Sequence, residues 1–122
     1  MEKETKRELP GAFVEKMEKL LGSDAETFFK SYDAERKFGL RVNPLKLENG
    51  EILDPESPLG VYLQGLPKVP WAKEGFYYEA EMRPGRHPFH EAGAYYIQEP
   101  SAMSVAEALA PGPGERILDL CA

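Results

Sequence analysis

With 122 residues, 42% of them hydrophobic, the chain has room for one small globular domain. Its formal net charge of −6 excludes a basic nucleic-acid surface spread over the whole piece. The single cysteine, Cys121, excludes an internal disulfide and fits a reducing, cytoplasmic setting. The charged start, Met1 to Glu8, lacks the apolar core of a signal peptide, and no stretch approaches the roughly 20 apolar residues of a membrane span.

Residues 1–8 are polar and are expected to be disordered. Leu9-Pro10-Gly11 opens a helix, with Pro10 in its first turn. Phe13, Met17, Leu20 and Leu21 fall on one face of it, and Gly22 suits the left-handed residue just beyond its end. Ser23-Asp24-Ala25-Glu26 has the form of a capping box for a second helix carrying Ala25, Phe28, Phe29 and Tyr32 on one face. Phe38 to Asn43 alternates with the period of a strand, and Pro44 ends it or marks an edge. Asn49-Gly50 is a turn signal, and Pro55 to Leu63 holds a short helix or a loop. Lys68 to Trp71 and Gly75 to Glu79 read as two strand-like segments around a turn. Arg83 to Pro88 is irregular.

Tyr95 to Gln98 is a short strand, and Pro100 suits the first turn of a helix. Ala102, Val105, Ala106 and Leu109 mark an apolar face for that helix. Pro111-Gly112-Pro113-Gly114 breaks it. Arg116 to Leu120 reads as a buried strand with an acid near its carboxyl end. The fold class is α/β: a small N-terminal α+β module over residues 9–90, then the first helix and strand of a second, truncated domain over residues 91–122.

A buried strand that ends in an acid and small residues is how a cofactor loop of an open α/β sheet begins. Asp119 there either takes a positive cofactor group or braces the loop, and small residues let the backbone approach a ligand. A core strand that merely ends at the surface has the same pattern.

Several blocks, in order, resemble one family: Gly39 to Lys46, Val69-Pro70-Trp71, Glu74 to Tyr78, Arg83 to Pro88, Ala92 to Met103, and Pro113 to Ala122. The family is the RsmB/RsmF (Nol/Nop/Sun) RNA cytosine-C5 methyltransferases, and the blocks are most similar to its RsmF-type 16S rRNA enzymes. The resemblance covers almost the whole chain from Leu9 onward. It implies that residues 9–90 are the family's N-terminal module. It also implies that residues 91–122 open a Rossmann-like class I methyltransferase domain, using S-adenosyl-L-methionine on rRNA of the small ribosomal subunit. On this resemblance Asp119, Cys121 and Ala122 are cofactor-loop residues, while Gln98, Glu99 and Ser101 border the cleft. The family continues the loop with Ala-Pro-Gly-Gly-Lys and carries two catalytic cysteines much later. This sequence stops before them, so the piece alone is expected to be inactive, with no catalytic residue to name. Residues 48–66 match no family block.

Blander readings stand beside these. Cys121 packs a loop rather than attacking anything. His87 and His90 serve a hydrogen-bonded loop or a domain interface rather than a metal, and neither metal nor membrane is expected as a partner. Arg83, Arg86 and His87 either touch phosphate or form an ordinary exposed loop. Phe76, Tyr77, Tyr78, Tyr95 and Tyr96 are core and interface residues more readily than base-stacking ones. Arg41 and Asn43 face either solvent or the cleft, and Gln98 and Ser101 either cap the following helix or belong to the site. Two rival functions remain open: a stand-alone RNA- or protein-binding module, and a class I methyltransferase with another acceptor.

Overall fold

The computed structural model of the chain describes residues 9–48 and 53–121 and divides between Arg36 and Lys37 into two units. The expectations for Met1 to Glu8, for the Asn49-Gly50 turn and for Ala122 lie outside the described residues.

In the first unit, α1 (Gly11–Leu21) starts one residue later than Pro10 would place it. Pro10 is the cap residue, and its carbonyl accepts the amides of Phe13 and Val14. Gly22 ends the helix at φ 53°, a conformation open to glycine without a Cβ penalty, and its amide donates to the Glu18 carbonyl. A 3-10 turn over Gly22–Asp24 then runs straight into α2 (Ala25–Lys30). The expected capping box does not form: Asp24, at the cap position, is already helical, so no non-helical cap residue is present, and no side chain caps the helix. The two helices meet through Phe13, whose ring lies 6.3 Å from Phe28 and 6.3 Å from Tyr32 in centroid distance. Leu20, expected on the inner face, is 66% exposed, whereas Phe13, Met17 and Leu21 are half-buried.

The second unit is built on a three-stranded antiparallel sheet in the order β2-β1-β3. Its strands are β1 (Phe38–Val42), β2 (Gly75–Tyr78) and β3 (Tyr95–Ile97). Pro44 ends β1 but does not mark an edge, since β1 is central. Lys68 to Trp71 contributes a single bridge, Lys68 to Phe76, rather than a strand. Pro67 and Pro70 flank that bridge and have no amide to extend a ladder. Helix α3 (Pro58–Tyr62) sits inside the ambiguous 55–63 segment. Ser57 caps it by accepting the Gly60 amide at 3.0 Å, and Pro58 occupies its first turn. Arg83 to Pro88 forms a 3-10 turn (Pro84–Arg86) that leads into the short α4 (Pro88–Glu91).

The register assigns alternate residues to the two faces of the sheet. Leu40 pairs with Phe76 and Ile97, and Val42 pairs with Tyr95. Leu40, Val42, Phe76 and Tyr95 lie on one face with Leu59 and Leu63, forming the main core. Each large side chain buried there contributes about 1.5–3 kcal/mol. Gly39, Arg41, Gly75, Tyr77 and Tyr96 lie on the opposite face, where α5 (Pro100–Leu109) packs.

Two sequence expectations for the last third give way. Helix α5 buries Pro100 and Met103, while Val105 is 69% and Leu109 59% exposed. The apolar stripe 102/105/106/109 therefore points away from the sheet. Arg116 to Leu120 is an exposed segment without regular secondary structure rather than a buried strand. Leu118 is 79% and Leu120 85% exposed, because no described strand lies alongside to take up the backbone bonds and cover the side chains. Among the described residues, no helix is long and apolar enough to cross a membrane.

Candidate functional site

The sequence-expected site residues fall into two groups. Gln98, Glu99 and Ser101 stand where β3 hands over to α5. The Gln98 amide donates to the Gly39 carbonyl at 3.1 Å, which fixes the end of the strand against β1. Glu99 occupies the cap position of α5 without a side-chain cap bond, and Ser101 is exposed two residues further on. Neither Gln98 nor Ser101 therefore caps the helix.

Asp119 and Cys121 lie together in the exposed tail. The Asp119 Oδ1 accepts the Cys121 amide at 2.8 Å, so the carboxylate braces the turn that it enters. Cys121 is a free, exposed thiol and packs against no core, unlike the loop-filling role expected of it. Ala122 lies outside the described residues.

What holds α5 in place is a feature that sequence reading missed. Met103 is fully buried in a notch made by two glycines on neighbouring strands. A Cβ on Gly39 would stand 2.7 Å from the Gln98 carbonyl oxygen, and one on Gly75 would stand 2.8 Å from the Met103 sulfur. Two further bonds clamp the helix. The Arg41 Nη2 donates to Glu107 at 2.8 Å and lies 3.5 Å from Glu74, and the Trp71 Nε1 donates to the Pro100 carbonyl at 2.7 Å. Arg41 thus ties β1 to α5 through its carboxylate partners while one side of it lines a shallow concavity on this sheet face. A signal was present in the glycine at a strand position in each of β1 and β2, which asks what large group lies over them.

The aromatic and histidine residues sort by face. On the core face the Tyr62 ring stacks on His87 at 4.0 Å between centroids, and the His87 Nδ1 accepts the Phe89 amide as the cap of α4. His87 thereby has a structural role in this loop. No group of three or more His, Cys, Asp or Glu side chains placed for a metal exists among the described residues. The Tyr95 hydroxyl donates to the Pro84 carbonyl at 2.8 Å. Burial, followed by its neighbour Tyr62, pushes its pKa well above the usual tyrosine range. The Lys68 ammonium sits 3.9 Å from the Phe76 ring centre, and loss of water there lowers its pKa against the pull of Glu74. Of the five aromatic residues weighed for base stacking, Phe76 and Tyr95 are buried and Tyr77 and Tyr78 half-buried. Tyr96 alone of the five stands out, 71% exposed.

The antiparallel sheet and its glycine notch seat α5 and set where the tail departs. Residues 9–100 match a family model described as the N-terminal domain of the 16S rRNA methyltransferase RsmF. The chain belongs to that family. Among its relatives is the ribosomal RNA small subunit methyltransferase F of Erwinia tasmaniensis, 36% identical over 93% of this chain and 25% of the relative. The 25S rRNA (cytosine-C(5))-methyltransferase nop2 of Schizosaccharomyces pombe is 35% identical over 80% of this chain and 16% of its own length. The human 28S rRNA (cytosine(4447)-C(5))-methyltransferase is 35% identical over 81% of this chain and 12% of its own. The chain thus spans a quarter or less of these curated relatives.

Proposed function

We propose that this chain is the N-terminal part of an rRNA (cytosine-C5) methyltransferase that works on 16S rRNA in the cytoplasm. The observation that carries the reading is the match of residues 9–100 to the RsmF N-terminal domain, together with relatives whose names specify rRNA methylation. S-adenosyl-L-methionine, when bound, supplies the methyl group. The tail suits such a group: Asp119 offers an exposed carboxylate whose position is set by the Cys121 amide, and Cys121 is a small, exposed residue beside it. Asp119, Cys121 and Ala122 are the residues proposed to border the cofactor, with Gln98, Glu99 and Ser101 at the neighbouring cleft.

Residues 9–90 act as the N-terminal module, and residues 91–122 open the methyltransferase domain. The outward stripe of α5 and the exposed Ile117, Leu118 and Leu120 support that division, because surfaces this apolar suit burial against further structure. Methylation at cytosine C5 requires a nucleophile to attack C6. Cys121 is the only cysteine here and is committed to the cofactor loop in this reading, so the chain by itself does not catalyse.

Disrupting the gene in its host tests the reading. Bisulfite sequencing of small-subunit rRNA should show the loss of at least one 5-methylcytosine. An unchanged methylation pattern would overturn the assignment.

A further inference from the structure

We infer that the second sheet face carries a binding site for one unstacked base of single-stranded RNA, with Tyr96 as its stacking wall. The inference rests on the rRNA-methyltransferase reading and names a contact within it.

The site is a concavity of about 390 Å³ lined by Arg41, Asn43, Pro44, Gly93 and Tyr96, together with Val42 and Tyr95, whose side chains turn to the core face. Tyr96 lies directly across from Arg41 in the β1–β3 register, so the ring and the guanidinium flank one opening. Asn43 shapes the floor. Its Nδ2 donates to the Gly93 carbonyl at 3.1 Å, and its Oδ1 accepts the Leu45 amide at 3.1 Å. Gly93, at φ 70°, adds no side chain to the concavity.

The chemistry favours a base over a phosphate. Arg41 is already matched by Glu107 and Glu74, so the opening has little uncompensated positive charge. An exposed aromatic ring beside polar edges is what an unpaired base can use, through its π-face and its hydrogen-bonding edge. A protein partner is the less favoured occupant. Its anchor would have to sit between an exposed phenol and a charge-paired arginine, without the dry apolar centre that such anchors occupy.

Fluorescence anisotropy of the full 122-residue chain with a short labelled oligocytidine RNA tests the inference. Tyr96→Ala should weaken binding about tenfold, while Tyr96→Phe, which keeps the ring, should stay close to wild type. The slope of affinity against salt should not change in Tyr96→Ala, since no phosphate contact is removed. The same RNA in duplex form should bind worse, because its bases are already stacked. Circular dichroism should be unchanged in both variants, given the exposure of Tyr96.

Wild-type binding with Tyr96→Ala unaffected, or equal affinity for duplex, would overturn the inference and leave the methyltransferase reading standing. No RNA binding by the wild-type chain would also overturn it. The methylation pattern in the disrupted host would then decide separately whether the wider reading survives.

Discussion

Two residues show how closely the second unit is fitted. Gly39 has no room for a methyl group, and the atom in the way is a backbone oxygen that cannot swing aside. Gly39→Ala should therefore destabilise the chain by about 1–3 kcal/mol, read as a lower urea midpoint. An unshifted midpoint would mean that α5 is not seated as described. Tyr95 gives a pH-dependent test. Its folded pKa is raised, so its contribution to stability is complete below the ordinary tyrosine value of about 10. It is lost as pH climbs from there toward the higher folded value, because the unfolded chain ionises first. Thermal melts should accordingly fall off above about pH 10, and Tyr95→Phe should flatten that part of the profile. The variant should also be less stable near neutrality by about 1 kcal/mol, having lost the hydroxyl bond to the Pro84 carbonyl, which keeps only the His87 amide. An identical alkaline profile in the variant would exclude Tyr95 as the source.

At the scale of elements, much was legible in the sequence because local chemistry decided it. Gly22 ended α1, Pro100 opened α5, and the alternation from Phe38 located β1. What escaped was set by partners distant along the chain. The apolar periodicity of α5 selected Ala102, Val105, Ala106 and Leu109, but the notch in the sheet accepted the neighbouring face, led by Met103. Periodicity reports that a helix has an apolar face, not which neighbour covers it. The segment 116–120 had the composition of a buried strand, yet a strand is defined by its pairing, and none is present among the described strands. The site residues were equally divided. Bracing by Asp119 was one of two roles its position allowed, while the Arg41–Glu107 clamp spans 66 residues and left no local trace. The helix orientation is testable: Val105→Lys and Leu109→Glu should each change the stability of this chain by no more than about 0.5 kcal/mol. A loss of several kcal/mol would show that the stripe is buried after all.

At the scale of the whole molecule, the chain is two units joined at Arg36-Lys37, followed by an exposed tail. Residues 34–37 have no regular structure, and Arg36 and Lys37 are tryptic sites. Brief trypsin treatment should cut there and at Arg116, leaving a protected fragment that begins at or just after Lys37 and includes α5. Early cleavage between β2 and β3 would contradict the integrity of the second unit.

The central claim is that this chain serves as the N-terminal part of an rRNA cytosine methyltransferase. Its most direct test replaces the matching segment of the Erwinia tasmaniensis relative with this chain. Transfer of labelled methyl from S-adenosyl-L-methionine to small-subunit rRNA is then measured. The account predicts transfer well above that of the relative lacking the segment. A folded chimera that transfers no more methyl than the truncated relative would contradict it.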